Sequence, residues 1–399
     1  MTTYLAAVGD ANDPLTWSGI PYHLLRAGRG AGLFDAGLAL ETGGAGWAGR
    51  RIGWNLARAP RLERPGGFQY SPAFLERLWR PALAALRGAT VINCFPLYPP
   101  SLVADAGVAK WFYIDQTLTQ LFDYYGVRST IGARIAGDAL ARERLGYSAA
   151  RGIIAHSEWA ANSVIDDYGI ARDKVHVVVP GANVDADRYR AWEARRQGNR
   201  GGSDGAPAEP LRMVFVGKYW RRKGLDRLLG AFRMARARGG RSRLRVIGFP
   251  RENAPEPFHA MEGIEWLGTI DKTREPLRFL EAVSENDIGC LLSRAEAGGI
   301  ALREFHALGL AVMAPDTGGS PEHALAGAAL MIAPDEDESA IADKLLALEA
   351  DRERLDAMKR HAWAHRREML WEHAVGRIAA ILGNLPAAAA AADCNAREV

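Results

Sequence analysis

Glu296 and Glu304 stand eight positions apart in the stretch S-R-A-E-A-G-G-I-A-L-R-E-F-H-A-L-G-L-A-V-M-A, with Gly298-Gly299 between them. The residue types predict a strand, an acidic loop, a glycine turn, a helix and a second strand ending at Pro315. A helix opening at such a turn exposes backbone N–H groups where its dipole favours an anion, such as a diphosphate. Both carboxylates can flank that anion and accept hydrogen bonds from hydroxyls beside it. A sugar nucleotide carries ribose and hexose hydroxyls on either side of its diphosphate. A glutamate near a helix start is also a common cap or dipole partner, so spacing alone leaves both readings open.

A second stretch, M-V-F-V-G-K-Y-W-R-R-K-G-L-D, reads as a strand over 212–216, then Gly217, a short basic loop, and Gly224 at a helix start. Lys218, Arg222 and Lys223 can neutralise a diphosphate whose negative charge grows as it leaves. Lys218 and Arg221 fit a solvated loop equally well. Lys223 abuts Gly224, where backbone and ligand can approach closely.

The elements that must position these groups follow one grammar throughout. Short apolar runs at 4–8, 37–40, 90–94, 111–114, 152–155 and 175–179 predict six strands in the first half. Runs at 212–216, 244–247, 264–267, 287–291, 311–314 and 329–332 predict six more. Helical patterns fill the intervals, including 71–86, 130–148, 224–237, 339–348 and 352–382. Alternating strands and helices predict an α/β chain of parallel sheets with crossover helices. The 399 residues exceed one ordinary core and suggest two domains of roughly 100–200 residues each. The segment R-R-Q-G-N-R-G-G-S-D-G-A-P-A-E-P at 195–210 has no apolar period and reads as a flexible linker. The expected division is 1–194 for an acceptor-binding domain, 195–210 for the linker and 211–375 for a donor-binding domain. Residues 376–399 would form the end of the last helix and a disordered tail. That last helix is long enough to return to the first domain.

Composition narrows the function. Hydrophobic residues make up 48% of the chain and net charge is +3, so neither disorder nor nucleic-acid binding is called for. Arg50, Arg51, Arg58, Arg61 and Arg64 cluster, as a solvated surface or as contact for an anionic acceptor or membrane face. Cys94, Cys290 and Cys394 are scattered, without a C-x-x-C pair, which fits a reducing cytosol. The N-terminus has no basic leader, and no apolar run approaches the roughly 18 residues a membrane span needs. A cytoplasmic protein, touching a membrane at most peripherally, is expected. No Asp, Glu or His cluster has metal-ligand spacing, so neither metal nor cofactor is expected.

In combination, G217-K-Y-W-R-R-K-G224, the Glu296/Glu304 pair, T317-G-G-S-P-E322 and H156-S-E…V179-P-G-A-N-V-D185 resemble the retaining GT-B glycosyltransferases of family 4. The N-terminal A-N-D-P-L-T-W-S-G-I-P-Y-H-L-L resembles that family's first strand, loop and helix. The likeness runs from about Gly9 to Ala374 and is weak over 33–90 and in the linker. It implies two Rossmann-like domains with a cleft between them. Lys223 and Arg222 would hold the donor diphosphate, Glu304 the ribose hydroxyls and Glu296 a hydroxyl of the hexose. Gly299 and Ile300 would offer N–H groups to the distal phosphate. Gly217 and Lys218, Gly268-Thr269-Ile270 at the nucleobase, the Gly298 turn, and Gly19 from the first domain would complete the donor site.

Departures are specific. Lys218 stands where the family usually has arginine, which makes it a point charge rather than a fork. The family's first-domain histidine has no match, and W111-F-Y-I-D-Q-T117 offers Asp115 instead, with a helix N-cap as its alternative role. His156 is divided between lining the site and a structural role, and His23 reads as core. The resemblance implies metal-independent hexosyl transfer from a nucleotide-diphosphate sugar to a hydroxyl of a glycan, glycolipid or small molecule. A nucleotide-sugar epimerase, a sugar phosphorylase or a non-catalytic nucleotide-binding assembly protein are the alternatives.

Overall fold

A computed structural model of the protein describes residues 2–59, 64–198 and 210–383. Chain contacts define two compact units, one of Met1–Val179 with Trp371–Val399 and one of Pro180–Leu370.

The first unit holds β1 (Thr3–Val8), β2 (Ala36–Leu40), β3 (Thr90–Asn93), β4 (Ala109–Ile114), β5 (Gly152–Ala155) and β6 (Val175–Val177). They form one parallel sheet in the order β2-β1-β3-β4-β5-β6. All six residues of β4 are buried, as a central strand covered on both faces requires. The second unit holds β7 (Arg212–Val216), β8 (Arg243–Ile247), β9 (Ile264–Gly268), β10 (Ile288–Cys290), β11 (Ala311–Pro315) and β12 (Ala329–Ile332). Its order is β12-β11-β10-β7-β8-β9, again parallel. Every strand expected from the apolar runs is present, with ends moved by one or two residues.

The strand orders locate the sites. Each sheet grows outward in both directions from its first strand. The chain therefore reverses direction between β1 and β3 in one sheet and between β7 and β10 in the other. Loops at the carboxyl ends of strands diverge at such points and leave a crevice for ligand.

Three expectations are corrected. The helix foreseen over 71–86 ends at Trp79, because Pro81 cannot donate to the ladder or accommodate the preceding turn. The long helix foreseen over 352–382 is two helices, Arg352–His365 and Trp371–Leu382, with a 3-10 turn Arg366–Met369 between them. Its carbonyls are taken elsewhere: Met369 O accepts from Ala182 N at 2.6 Å and Glu368 O from an Arg303 guanidinium N at 2.8 Å. Arg366 Nε meanwhile donates to Glu193 Oε1 at 2.7 Å. The third correction is the division of the chain. Helix Ala186–Gly198, assigned by sequence to the first domain, belongs to the second unit. Tyr189 Oη donates to Ala307 O at 2.7 Å and Trp192 Nε1 to Ser284 Oγ at 3.2 Å. The units thus divide at Val179/Pro180 and again at Leu370/Trp371. Most of the expected linker (199–209) and the expected tail (387–399), with Cys394, lie outside the described residues.

Helix Trp371–Leu382 belongs to the first unit, as expected of a returning C-terminal helix. Trp371, Ala374, Val375 and Ile378 pack with Leu24, Leu25, Tyr113 and Ile154 in one core cluster.

Candidate functional site

In the second unit the basic loop after β7 is fastened to the segment after β10. Arg294 N donates to Arg222 O at 2.9 Å and Leu292 N to Lys223 O at 3.3 Å. Arg294 also forms a two-pronged ion pair with Asp226, both contacts at 2.8 Å. Gly224 sits between these segments with φ +72°, and a Cβ there would lie 1.9 Å from Leu292 O. Only glycine satisfies both the left-handed backbone and that approach.

This fastening brings Lys223 Nζ into an ion pair with Glu296 Oε2. Arg222 Nη1 lies 3.6 Å from the same oxygen and donates to Ala295 O at 3.2 Å. Ser293 Oγ donates to that oxygen at 3.0 Å. Lys223, Arg222 and Glu296, read separately from sequence, therefore form one charged cluster.

Helix Ile300–Ala307 begins at Gly299, whose φ is +90°. Gly298, beside it, has no room for a side chain, since a Cβ would lie 2.5 Å from the His323 ring. Glu304, one turn in, is 1% exposed. Lys272 Nζ bridges its two oxygens at 2.5 and 2.6 Å. Burial pushes the Glu304 carboxyl up, against the opposing charges of Lys272 and Lys223. At the carboxyl ends of β7, β8 and β9 stand Gly217, Gly248 and Gly268. Gly217 N donates to Ile247 O at 3.0 Å and Gly248 N to Gly268 O at 2.7 Å, which makes a side-chain-free floor beside the basic loop. Ile270 is buried, while Thr269 and Lys218 are exposed. Lys218 and Arg221, both exposed, are the cations of this loop that fit the solvated reading best.

Sequence reasoning missed Lys272, His323 and Gly248. Lys272 follows directly on Gly268-Thr269-Ile270, and His323 directly on T317-G-G-S-P-E322. Their positions after those motifs were the available signal.

In the first unit, Gly19 precedes helix Ile20–Gly30 with φ +86°. Trp17 (φ 42°) and Ser18 (φ 58°) are also left-handed, a cost of about 1–3 kcal/mol each that surrounding structure must hold in place. The Trp17 ring stacks on His156, with centroids 5.4 Å apart and planes 25° from parallel. His156 is 1% exposed and also meets Tyr113 at 4.3 Å. Burial pushes its pKa down to about 3, so the ring is neutral, and its face backs the Trp17 indole. His23 is half-buried, not core, because the buried face of its helix is Ile20, Pro21, Leu24, Leu25 and Gly28. Asp115, just past β4, does not cap the next helix. Thr117 does so, in a capping box with Gln120. Asp115 instead lines a cavity of about 290 Å³ with Trp17, Tyr70 and Phe95. Asp115 and Gly19 are thus first-unit residues, while the remaining expected site residues cluster in the second unit. Among the described residues, no three His, Cys, Asp or Glu side chains come together as a metal site.

Residues 210–351 match the family model for glycosyl transferases group 1. The D-inositol 3-phosphate glycosyltransferase of Nocardia farcinica is 31% identical over 229 residues, covering 55% of this chain and 50% of the relative. The Catenulispora acidiphila enzyme of that name is 27% identical over 259 residues, covering 62% and 60%. The chain therefore spans only about half to three fifths of the length of these relatives. Among solved structures, sucrose-phosphate synthase of Thermosynechococcus elongatus superposes with TM-score 0.67 at 15% identity, over 96% of this chain and 98% of that one. Anabaena HepE in complex with UDP gives 0.62 at 13% identity, over 96% and 100%. WaaG, a glycosyltransferase of lipopolysaccharide biosynthesis, gives 0.60 at 14%, over 95% and 99%. The chain has the GT-B fold of two Rossmann-like units, and most of its second unit matches glycosyl transferases group 1.

Proposed function

We propose that this chain is a retaining glycosyltransferase that moves a hexose from a nucleotide-diphosphate sugar to a hydroxyl acceptor without a metal ion. The observation that carries the reading is the convergence of Lys223, Arg222 and Ser293 on Glu296, beside a helix start whose next turn bears Glu304. An arriving diphosphate competes with Glu296 for Lys223 and Arg222. Its binding turns both cations to phosphate and leaves Glu296 to accept from a hexose hydroxyl. Glu304 accepts from the ribose, with Lys272 displaced or shared. The first-turn amides after Gly299 meet the distal phosphate.

In the transfer itself, the acceptor oxygen bonds to the anomeric carbon on the face the diphosphate leaves. The bond from that carbon to the phosphate oxygen breaks, with its electron pair going to the nucleoside diphosphate. That same phosphate oxygen takes the acceptor's proton. Lys223, Arg222 and the helix start stabilise the developing charge, the part a divalent ion plays elsewhere. HepE's solved complex with UDP, and the inositol phosphate in the curated relatives' names, support a nucleotide-sugar donor and a hydroxyl acceptor. Acceptors in scope are a glycan, a glycolipid or a small molecule.

A cytoplasmic, peripherally membrane-bound site of action fits helix Ala45–Arg58. Its Ile52 and Leu56 are 58% and 65% exposed, beside exposed Arg50 and Arg51. An apolar stripe flanked by cations suits an anionic lipid surface.

The test is a thermal-shift panel of UDP-, GDP-, ADP- and dTDP-sugars with the full chain. Ligand at 100 times Kd adds about 2.7 kcal/mol. One base should protect clearly above the rest, and protection by none of them would overturn the reading.

A further inference from the structure

The cavity beside Asp115 opens where the first sheet changes direction, at the carboxyl ends of β1 and β3, where α/β sheets bind ligands. We infer that it takes an uncharged acceptor, one whose reacting hydroxyl is carried by an apolar, ring-sized body. This inference rests on the glycosyltransferase reading and specifies its acceptor.

Three observations carry it. The walls are mainly apolar and aromatic, with Val8, Trp17, Tyr70, Phe95, Ile114 and Leu118 among them beside the uncharged polar Gln69, Gln116 and Thr117, and the volume of about 290 Å³ admits a ring-sized body. The charged side chain among the lining residues is the carboxylate of Asp115. Its field is felt inside, since it adds to the burial that pushes the Cys94 thiol up. A phosphate here would face that carboxylate. Finally, the side-chain amides at the cavity, Gln69 and Gln116, are uncharged, and three backbone amides beside Asp115 are committed elsewhere. Thr117 N donates to Gln120 Oε1 at 3.0 Å, Leu118 N to both Glu143 oxygens at 3.0 Å, and Thr119 N to Tyr168 Oη at 3.1 Å. His156, neutral behind Trp17, adds no positive charge.

The strained Trp17–Ser18 turn supplies a reason for its own persistence. It holds an indole at the cavity, backed by the His156 ring. A fixed aromatic face gives contact area to an apolar ring face at little entropic cost. Asp115 is then the acceptor for the hydroxyl's hydrogen bond and orients that oxygen.

The experiment measures binding of benzyl alcohol, the aryl probe, and of D-myo-inositol 3-phosphate to the full chain by saturation-transfer NMR. The nucleotide-sugar panel is run on the same samples. The aryl probe should bind, and the phosphorylated polyol should bind at least tenfold more weakly. Trp17→Ala should weaken the aryl probe about tenfold. Leu121→Trp, which fills the cavity from a partly exposed wall position, should block it while nucleotide protection stays intact. Asp115→Asn should narrow the gap between the two probes. Tighter binding of the phosphorylated probe overturns the inference. So does an aryl probe that fails to bind, or that binds equally well to Leu121→Trp, while nucleotide protection is retained. Loss of nucleotide protection in the unaltered chain would instead sink the glycosyltransferase reading.

Discussion

Lys223 and Glu296 are 73 residues apart in the chain and form one buried-edge ion pair, joined at the same carboxylate oxygen by Arg222 and Ser293. The pair gives the cluster two settings. With the cations on Glu296 the site is closed on itself, and with the cations on a diphosphate Glu296 is released toward sugar. A buried charge that loses its partner without gaining another is costly, so occupancy of the two settings should follow the donor.

The two glutamates should therefore fail differently. Glu304→Ala is expected to weaken free-nucleotide binding by about tenfold, the effect of losing one charge-assisted hydrogen bond of about 1.5 kcal/mol. Glu296→Ala should leave that affinity nearly unchanged and lower turnover. Calorimetric titration of both variants with the nucleoside diphosphate decides it, and equal losses would contradict the division.

Gly224→Ala should destabilise the second unit by about 2 kcal/mol or more, through strain at positive φ and collision with Leu292 O. Because this glycine sets the angle of Lys223, nucleotide protection should fall with stability. A variant with unaltered urea midpoint and nucleotide affinity would show that the loop relaxes freely.

How far the site could be read from sequence follows from range. Glu296, Glu304, Lys223 and the glycine turns announce themselves because strand, loop and helix start are local patterns. The twelve strands were legible for the same reason. Lys272 was not, because a lysine in D-K-T-R looks like any solvated loop until folding lays it on Glu304. The break at 366–370 was equally hidden. Arg366 and Met369 fit a helical period, and their partners Glu193 and Ala182 lie more than 170 residues earlier. Helix Ala186–Gly198 was assigned to the wrong unit because a Gly/Pro-rich stretch beyond it resembled a boundary. Tyr189 and Trp192 carry the tertiary contacts that place it.

Burial pushes Glu143 up to about 8, although Tyr147 and Tyr168 hydroxyls and Leu118 N donate to it. A carboxyl raised on folding holds its proton more tightly in the native state. Its stabilising contribution is present below the unfolded value near 4.5 and is lost as pH rises toward about 8. Relative to Glu143→Gln, the natural chain should lose stability steadily across that window in urea titrations. Parallel curves for the two proteins would contradict it.

For helix Ala45–Arg58, the double change Ile52→Ser/Leu56→Ser should lower partitioning to phosphatidylglycerol vesicles roughly tenfold or more, since burying each side chain contributes about 1.5 kcal/mol or more. Trp47 and Trp54 face inward, against Phe74 and Gly66 O, so the fold should tolerate the change. Cosedimentation equal to that of the unaltered chain would mean this stripe meets no bilayer.

The central claim is that cationic side chains, led by Lys223, stabilise a departing nucleoside diphosphate without a metal. The most direct measurement is the rate of nucleoside diphosphate release from the protecting nucleotide sugar, in excess EDTA, for the natural chain and for Lys223→Ala. Full activity in EDTA and a loss on the order of 10²-fold or more in the variant are expected. Activity abolished by EDTA and restored by magnesium, or a variant as fast as the natural chain, would contradict it.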